Sequence, residues 1–243
     1  MTRQDGVRED IAYKTSDHLF RSKDEYAQGK YDTTTRWLKR YMQPGDRLLN
    51  VGCGSGEYNA AAHAMGLRVT ACEPEPNAHA LASQAAPEGC QVFNTGLMEL
   101  VGEVEPVQFI VMHDVLEHIE DDVAAVAAVH QLLAPGGRAV ISVPAYQWLF
   151  GHHDVQLGHF RRYTKRNLLR LFRADFEIEK ARYYGASFIP VALYFSRLSK
   201  KPYPVATASK GFVSKAMRFV CQTESRVPMP VGTSVMISVR RRA

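Results

Sequence analysis

The fold is decided by the stretch Leu48-Leu49-Asn50-Val51-Gly52-Cys53-Gly54-Ser55-Gly56-Glu57. Its apolar beginning predicts a buried strand, and its three glycines predict a tight turn that leads into a helix. Glycine lets the backbone adopt positive φ and approach a ligand closely, while the first turn of a helix offers unbonded N–H groups. We therefore expect a strand–turn–helix unit that binds a ligand at its turn.

An acidic residue follows at the end of the next predicted strand. Glu73 lies about 20 positions beyond Gly52, the spacing at which a carboxylate accepts hydrogen bonds from ribose hydroxyls. The glycine pattern is G-x-G-x-G, whereas dinucleotide sites carry G-x-G-x-x-G, and here Glu57 would lie beside a pyrophosphate. These features favour a nucleoside ligand without phosphates.

Strand and helix signals alternate around this unit, which predicts an α/β fold with a Rossmann-like, doubly wound sheet. We expect the sheet to be mostly parallel with an antiparallel last strand. The strands predicted in this half cover residues 47–51, 67–72, 91–94, 107–112 and 138–143. The helices predicted with them cover residues 57–65, 76–85 and 121–133, preceded by one or two helices in residues 23–42. A turn at Pro135-Gly136-Gly137 is expected to separate the last helix from the fifth strand.

The regular alternation of strand and helix signals ends at Pro144. Residues 145–163 are polar, aromatic and histidine-rich and predict a loop, and Thr164 is placed to cap a helix that ends at Phe172. Further elements are predicted at Phe176–Tyr184 (strand), Phe188–Leu198 (helix), Lys200–Lys210 (connection), around Val213, Ala216, Met217 and Val220 (amphipathic helix) and Val235–Val239 (closing strand). We divide the chain into an N-terminal helical cap (1–44), a cofactor-binding core (45–146) and substrate elements of the same domain (147–243).

The composition excludes several classes of protein. With 243 residues, 46% of them hydrophobic, the chain is neither disordered nor collagen-like, and no apolar run is long enough to span a membrane. A polar N-terminus and four cysteines without CxxC spacing predict a reduced, cytoplasmic protein. The net charge of +5 indicates either a soluble surface or an anionic partner. Because the basic excess lies mainly after residue 160, an anionic acceptor or lipid surface is the simpler partner.

Four motifs in order resemble class I S-adenosylmethionine-dependent methyltransferases of the bacterial small-molecule type, over about residues 45–145. Asn50–Gly56 is similar to the family's first motif, although Asn50 stands where an acidic residue is usual. Glu73-Pro74 is similar to the acidic second motif, His113–Ile119 to the segment after the fourth strand, and Leu133–Gly137 to the turn before the fifth.

The resemblance implies S-adenosylmethionine as cofactor and a set of residues that bind it. The turn after the first strand would line the methionine and ribose, Glu73-Pro74 the ribose, the segment after the third strand the adenine, and the segment after the fourth strand the methyl-bearing end. The implied cofactor-binding residues are Gly52, Cys53, Gly54, Gly56, Glu73, Pro74, Gly96, Leu97, Met98, His113, Asp114 and Val115. Tyr31 would either close over the methionyl group or serve as an aromatic core anchor.

The histidine-rich segment 152–163 allows three interpretations. His159 or His153 can be a general base that deprotonates the acceptor, since histidine titrates in the useful range. The histidines can instead bind a metal. Alternatively, Asp154 pairs with Arg161 or Arg162 and fastens the loop, and the histidines are polar lining.

His118 is a further candidate catalytic residue. If its segment is helical, Asp114, Glu117 and His118 share one face and form a second candidate metal set. Ubiquinone-pathway O-methyltransferases have a similar run of acidic residue, Glu and His. In the wider family such a Glu-His pair more often packs the segment against the sheet, and we predict no metal.

Taken together, the sequence predicts transfer of a methyl group to a small-molecule or lipid-like acceptor, with O-methylation as the chemistry. An RNA or protein methyltransferase and a non-catalytic cofactor-binding scaffold are the alternatives. Nucleic acid is disfavoured because no dense basic run or separate RNA-binding module is present. The apolar run Phe188–Phe195 is either an interfacial element that contacts the membrane peripherally or a lid over an apolar pocket. The oligomeric state is not predicted.

Overall fold

The computed structural model describes residues 24–197 and 212–242, in which seven strands form one sheet in the order β3-β2-β1-β4-β5-β7-β6. Strand β7 is antiparallel to both of its neighbours, and the other pairings are parallel. This confirms the predicted Rossmann-like sheet with its antiparallel last strand. The strands are β1 (Arg47–Val51), β2 (Arg68–Cys72), β3 (Gln91–Phe93), β4 (Val107–His113), β5 (Leu133–Pro144), β6 (Phe176–Tyr184) and β7 (Ser234–Arg241).

Helices cover both faces of this sheet. Leu48 packs into one core cluster and its neighbour Leu49 into another, because successive side chains of a strand point to opposite faces. Burial on both faces explains why the central strands are continuous apolar runs. The helices are α1 (Glu25–Leu38), α2 (Glu57–Ala64), α3 (Pro76–Gln84), α4 (Asp122–Leu132), α5 (His152–Gln156), α6 (Lys165–Phe172), α7 (Ile189–Arg197) and α8 (Phe212–Arg226). No helix among the described residues is long and apolar enough to cross a bilayer.

Two local predictions were wrong. The turn at residues 135–137 does not precede β5 but interrupts its pairing, since Val107 pairs with Leu133 and Phe109 with Arg138. The residues between Leu133 and Arg138 bulge out of the hydrogen-bonded ladder, and Gly136 among them has φ +75°. The predicted loop 145–163 contains helix α5 and a 3-10 turn at Gln147–Leu149, because the Asp154 carboxylate accepts the Gly151 N–H at the start of α5.

The amphipathic helix predicted around Val213 to Val220 is confirmed as α8, in which Met217 and Val220 are half-buried. Ala216 is exposed, whereas Glu224 and Ser225 are buried. Glu224 accepts the backbone N–H groups of Ala186 and Ser187, each at 2.8 Å, and Arg182 donates to the Ser225 carbonyl at 2.9 Å. Polar contacts therefore attach the end of α8 to β6 and to the residues that follow β6. Of the predictions for this half, the connection Lys200–Lys210 lies outside the described residues.

Candidate active site

The turn after β1 is built on three glycines in the left-handed region, with φ of +63° at Gly52, +58° at Gly54 and +88° at Gly56. A Cβ on Gly52 would lie 2.4 Å from Cγ2 of Val115, in the segment after β4. Glycine is therefore required at this position by backbone conformation and by a close approach between two chain segments. The turn after β1 therefore packs directly against the segment after β4.

Glu73, at the end of β2, fixes this turn. Its buried carboxylate accepts the N–H of Gly54 at 2.9 Å and that of Glu75 at 3.1 Å. Because each carboxylate oxygen can accept more than one hydrogen bond, this role is compatible with hydrogen bonds to ligand hydroxyls. The neighbouring Pro74 is exposed on the same edge of the sheet.

Asn50 and Cys53 have structural contacts within the same unit. The Asn50 amide donates to Oδ1 of Asn59 on α2 at 2.8 Å, so an uncharged residue positions the turn by hydrogen bonding. Cys53 is buried and burial raises the pKa of its thiol, which keeps the group protonated. We assign no reactivity to this cysteine.

The residues expected near the adenine follow β3 and differ in exposure. Leu97 is buried in the core, while Met98 is 40% exposed at the start of a 3-10 turn at Met98–Leu100. Gly96 is half-buried, and a Cβ there would lie 3.0 Å from the Glu99 carboxylate. Met98 is therefore the member of this group whose side chain is accessible to a ligand.

The segment after β4 is bound to the cap helix α1. Nζ of Lys30 lies 2.5 Å from Oδ2 of Asp114, and Ser142 donates to Oδ1 of the same carboxylate at 3.2 Å. Asp114 adopts φ +56°, a conformation that is uncommon outside glycine. Sequence reasoning missed Lys30, because nothing in a helical sequence distinguishes a buried lysine from a solvated one.

His113 and Tyr31 pack together beside this ion pair. Their ring centroids are 5.0 Å apart, and Tyr58 on α2 lies 5.5 Å from each. Thr34 of α1 is 2.8 Å from Nε2 of His113. Tyr31 is thus part of an aromatic group that joins α1 to α2 and to the end of β4.

Burial sets the charges of these groups. It lowers the pKa of His113 to about 4, so the imidazole is neutral near pH 7. Burial by itself would lower the pKa of Lys30, but the Asp114 carboxylate outweighs it and the pKa is raised. A neutral histidine therefore lies beside an ion pair whose ammonium is buried and whose carboxylate is partly exposed.

The histidine-rich segment is organised by one buried carboxylate. Oδ1 of Asp154 lies 2.8 Å from Nδ1 of His159, and Arg162 donates to Oδ1 at 2.7 Å and to Oδ2 at 2.9 Å. Burial would raise the pKa of Asp154, but the hydrogen bonds from His159 and Arg162 and the guanidinium charge lower it to about 2. Arg161 instead forms an ion pair with Asp122 at 3.0 Å.

The segment after β4 and the histidine-rich segment meet at two histidines. The rings of His118 and His159 are perpendicular with centroids 4.5 Å apart, and the Phe160 N–H donates to the Glu117 carbonyl at 2.8 Å. Within residues 24–197 and 212–242, side-chain ligand atoms of Glu117, His118 and His159 lie within 4.8 Å of one another, close enough to hold a cation. Asp114 is not part of this trio, and neither is His153, which is half-buried on α5.

Comparison with known proteins gives a family match over most of the described core. Residues 22–181 match a family model described as "Methyltransferase domain". The ubiquinone biosynthesis O-methyltransferase of Xylella fastidiosa is 36% identical over 108 residues, which cover 43% of this chain and 44% of that protein. The chain thus spans about half the length of the curated relatives it matches.

Solved structures share the fold at low sequence identity. A methyltransferase in complex with the Haloferax volcanii Trm112 activator is 16% identical with a TM-score of 0.66, over 98% of this chain and 100% of that one. The Burkholderia thailandensis 1,6-didemethyltoxoflavin-N1-methyltransferase, solved with S-adenosylhomocysteine, is 21% identical with a TM-score of 0.56, over 86% of this chain and 76% of that one.

Proposed function

The chain belongs to the class I S-adenosylmethionine-dependent methyltransferases, and from this membership we propose that it methylates a hydroxyl group of a small-molecule or lipid-like acceptor with His159 as general base. The single observation that carries the proposal is the contact between His159 and the buried carboxylate of Asp154, beside the segment that follows β4. In open α/β sheets, ligands bind outside the carboxyl ends of the strands, which is where both groups lie.

The residues at this edge fit the proposed cofactor. Gly52 has no room for a Cβ, and a turn with three positive φ angles brings backbone N–H groups to the end of β1. Glu73 is the acceptor for the ribose hydroxyls, Met98 the apolar contact for the adenine, and Asp114, whose side chain is 34% exposed, the carboxylate for the methionyl ammonium. Tyr31 and His113 would form the wall beside that end.

S-adenosylmethionine supplies an electrophilic methyl group on a sulfonium. The remaining work of the protein is to align the acceptor with this methyl and to take the acceptor proton if the group is protonated near pH 7. A carboxylate acceptor needs no base, whereas an alcohol or phenol does. A histidine held by a buried carboxylate therefore favours a hydroxyl acceptor.

The ionised state of Asp154 supports the choice of His159 as base. With a pKa of about 2, Asp154 is ionised near pH 7 and can only accept a hydrogen bond, so Nδ1 of His159 carries the proton. In the neutral imidazole the lone pair then lies on Nε2, the nitrogen that would receive the acceptor proton. Asp154 fixes this tautomer, and Arg162 holds Asp154 in place from the other side.

The trio of Glu117, His118 and His159 supports a second way to activate a hydroxyl, through a bound divalent cation. The two mechanisms exclude each other at His159, because Nε2 cannot accept a proton while it ligates a metal. We favour the base, since it uses a hydrogen bond already formed. In that case activity survives prolonged treatment with a chelator, and loss of activity that added Zn²⁺ or Mn²⁺ restores would favour the cation.

The cofactor assignment is tested by thermal unfolding with and without excess S-adenosylmethionine. Wild type is expected to unfold at a higher temperature with the cofactor, and Glu73→Gln to lose most of this shift. The acceptor class is tested by S-adenosylhomocysteine formation with alkyl-substituted phenols, alcohols, carboxylates, bulk RNA and protein. His159→Gln should slow turnover about 10²- to 10⁴-fold at unchanged cofactor affinity, and exposed His152→Gln is the matched control.

Three outcomes would contradict the proposal. The first is an unchanged unfolding temperature with the cofactor. The second is turnover restricted to RNA or protein. The third is equal loss of cofactor affinity and turnover in His159→Gln, which would make His159 a structural residue.

A further inference from the structure

Helix α7 presents its apolar side chains to solvent. Val191 is 44% exposed, Leu193 42% and Tyr194 53%, while Ala192 alone among its residues is buried. In a soluble protein a helix normally buries its apolar face, and clustered exposed apolar residues mark an interaction surface. Core packing therefore does not explain why the apolar residues of α7 are exposed.

Exposed apolar side chains also lie on the elements that pack against α7. Trp148, in the 3-10 turn Gln147–Leu149, is 46% exposed, and Val155 on α5 is 59% exposed. Arg197 donates to the Trp148 carbonyl at 2.6 Å, which joins the end of α7 to this turn. We call the group of Trp148, Val155, Val191, Leu193 and Tyr194 the α7 patch.

The basic composition of the sequence around α7 indicates which partner the patch binds. Residues 180–223 contain eight Lys or Arg and no Asp or Glu, although Arg182 is buried and Arg218 is paired with Glu25. The exposed Arg197 lies three positions after Tyr194 and so shares its side of the helix. Tryptophan and tyrosine are the side chains that suit a membrane–water interface, with an apolar ring and a polar end. At nine residues α7 is too short to span a bilayer and long enough to lie on one.

From these observations we infer that the α7 patch docks the protein onto an anionic lipid surface. Apolar and aromatic side chains enter the outer part of the bilayer, and the exposed Arg197 at the end of α7 binds a lipid phosphate. A second protein is a poorer occupant, because a stretch of 44 residues without an acidic side chain fits a uniformly anionic surface.

The patch and the proposed catalytic pair share helix α5. On α5, Asp154 points inward and binds His159, and the next residue, Val155, is exposed in the patch. Docking would therefore hold the acceptor side of the site against the membrane. Delivery of a membrane-embedded acceptor to His159 rests on the proposed function, whereas lipid binding by the patch does not.

The test is sedimentation of the full chain with vesicles of phosphatidylglycerol or of phosphatidylcholine. Wild type should bind the anionic vesicles, less tightly at high salt, and bind phosphatidylcholine weakly. Leu193→Ser combined with Tyr194→Ser should weaken binding at least about tenfold, and Arg197→Gln should reduce the preference for anionic lipid. Val123→Ser is the matched control, because Val123 is 65% exposed on α4, outside the patch.

Several results would overturn the inference. If the double variant and the control weaken vesicle binding equally, the lipid contact lies elsewhere. If wild type does not bind vesicles, the inference is wrong. A dimer in sedimentation equilibrium that the double variant dissociates would show that a second copy covers the patch. Methylation of a water-soluble phenol distinguishes failure of the docking inference from failure of the proposed function. If only docking is lost, the double variant still methylates the phenol. If the proposed function is wrong, neither wild type nor any variant does.

Discussion

Nδ1 of His159 lies 2.8 Å from Oδ1 of Asp154, a carboxylate with no exposed surface. The same carboxylate accepts two hydrogen bonds from Arg162, so the imidazole is oriented by a group that is itself held on both oxygens. Such an arrangement fixes the tautomer of a histidine and leaves its second nitrogen for chemistry.

Replacement of Asp154 by Asn tests this relationship. The Asn amide can donate to Nδ1 and favour the tautomer with the proton on Nε2, so turnover should fall about 10²-fold or more while cofactor affinity is retained. The change also leaves the Arg162 guanidinium without a buried counter-charge, which should lower the free energy of unfolding by about 3 kcal/mol or more. Kinetics are therefore measured well below the unfolding temperature. A pH–rate profile identical to that of wild type would contradict the assigned role.

The ion pair between Lys30 and Asp114 should respond asymmetrically to mutation. The Lys30 side chain is 4% exposed and that of Asp114 is 34% exposed. Asp114→Asn strands a buried ammonium and should cost about 3 kcal/mol or more, whereas Lys30→Met leaves a carboxylate that water can reach and should cost less. Chemical denaturation of both variants and of the double variant checks this order. Equal losses of unfolding free energy in the two single variants would contradict this, because they would mean that the ammonium and the carboxylate are equally hydrated.

His113 should make stability depend on pH. Its pKa is lowered to about 4 by burial, against an ordinary value of 6.5, so between these pH values the unfolded chain binds a proton that the folded chain does not. The free energy of unfolding should therefore fall as pH falls from 6.5 to 4, by on the order of 3 kcal/mol. Asp154, with a pKa of about 2, contributes stability that is lost at lower pH. His113→Gln should flatten the curve in the upper window, and parallel curves for the variant and wild type would refute the assignment.

Gly52→Ala should destabilise the protein for two separable reasons. The alanine would have to adopt φ +63°, and its Cβ would lie 2.4 Å from Cγ2 of Val115. Gly89→Ala isolates the first cost of about 1 kcal/mol, because Gly89 has φ +74° and nothing within 4 Å of a Cβ. The additional loss at Gly52, about 1 to 3 kcal/mol, should be partly recovered when Val115→Ala is combined with it. Absence of recovery in urea unfolding would mean that the contact with Val115 does not limit this position.

The sequence by itself determined the sheet and the glycine turn at its carboxyl edge. Gly52, Gly54 and Gly56 reveal a turn because the requirement for positive φ is local, and Glu73 is found by its spacing within one strand–helix–strand unit. The alternation of apolar strands and helices predicted the doubly wound fold, since burial on both faces leaves a continuous apolar run in each central strand. The turn at residues 135–137 was placed wrongly because a bulge and a loop have the same glycine signature.

Only the tertiary structure decided which groups meet at that edge. Lys30 and Asp114 are 84 positions apart, and His118 contacts His159 from another segment. Whether Asp154 pairs with Arg161 or Arg162 depends on which guanidinium the loop buries, and the face of α8 that packs inward depends on the carbonyl and amide groups of its neighbours. Turns and strands follow from constraints within a few residues, whereas charge pairs form between side chains that packing brings together from distant parts of the chain.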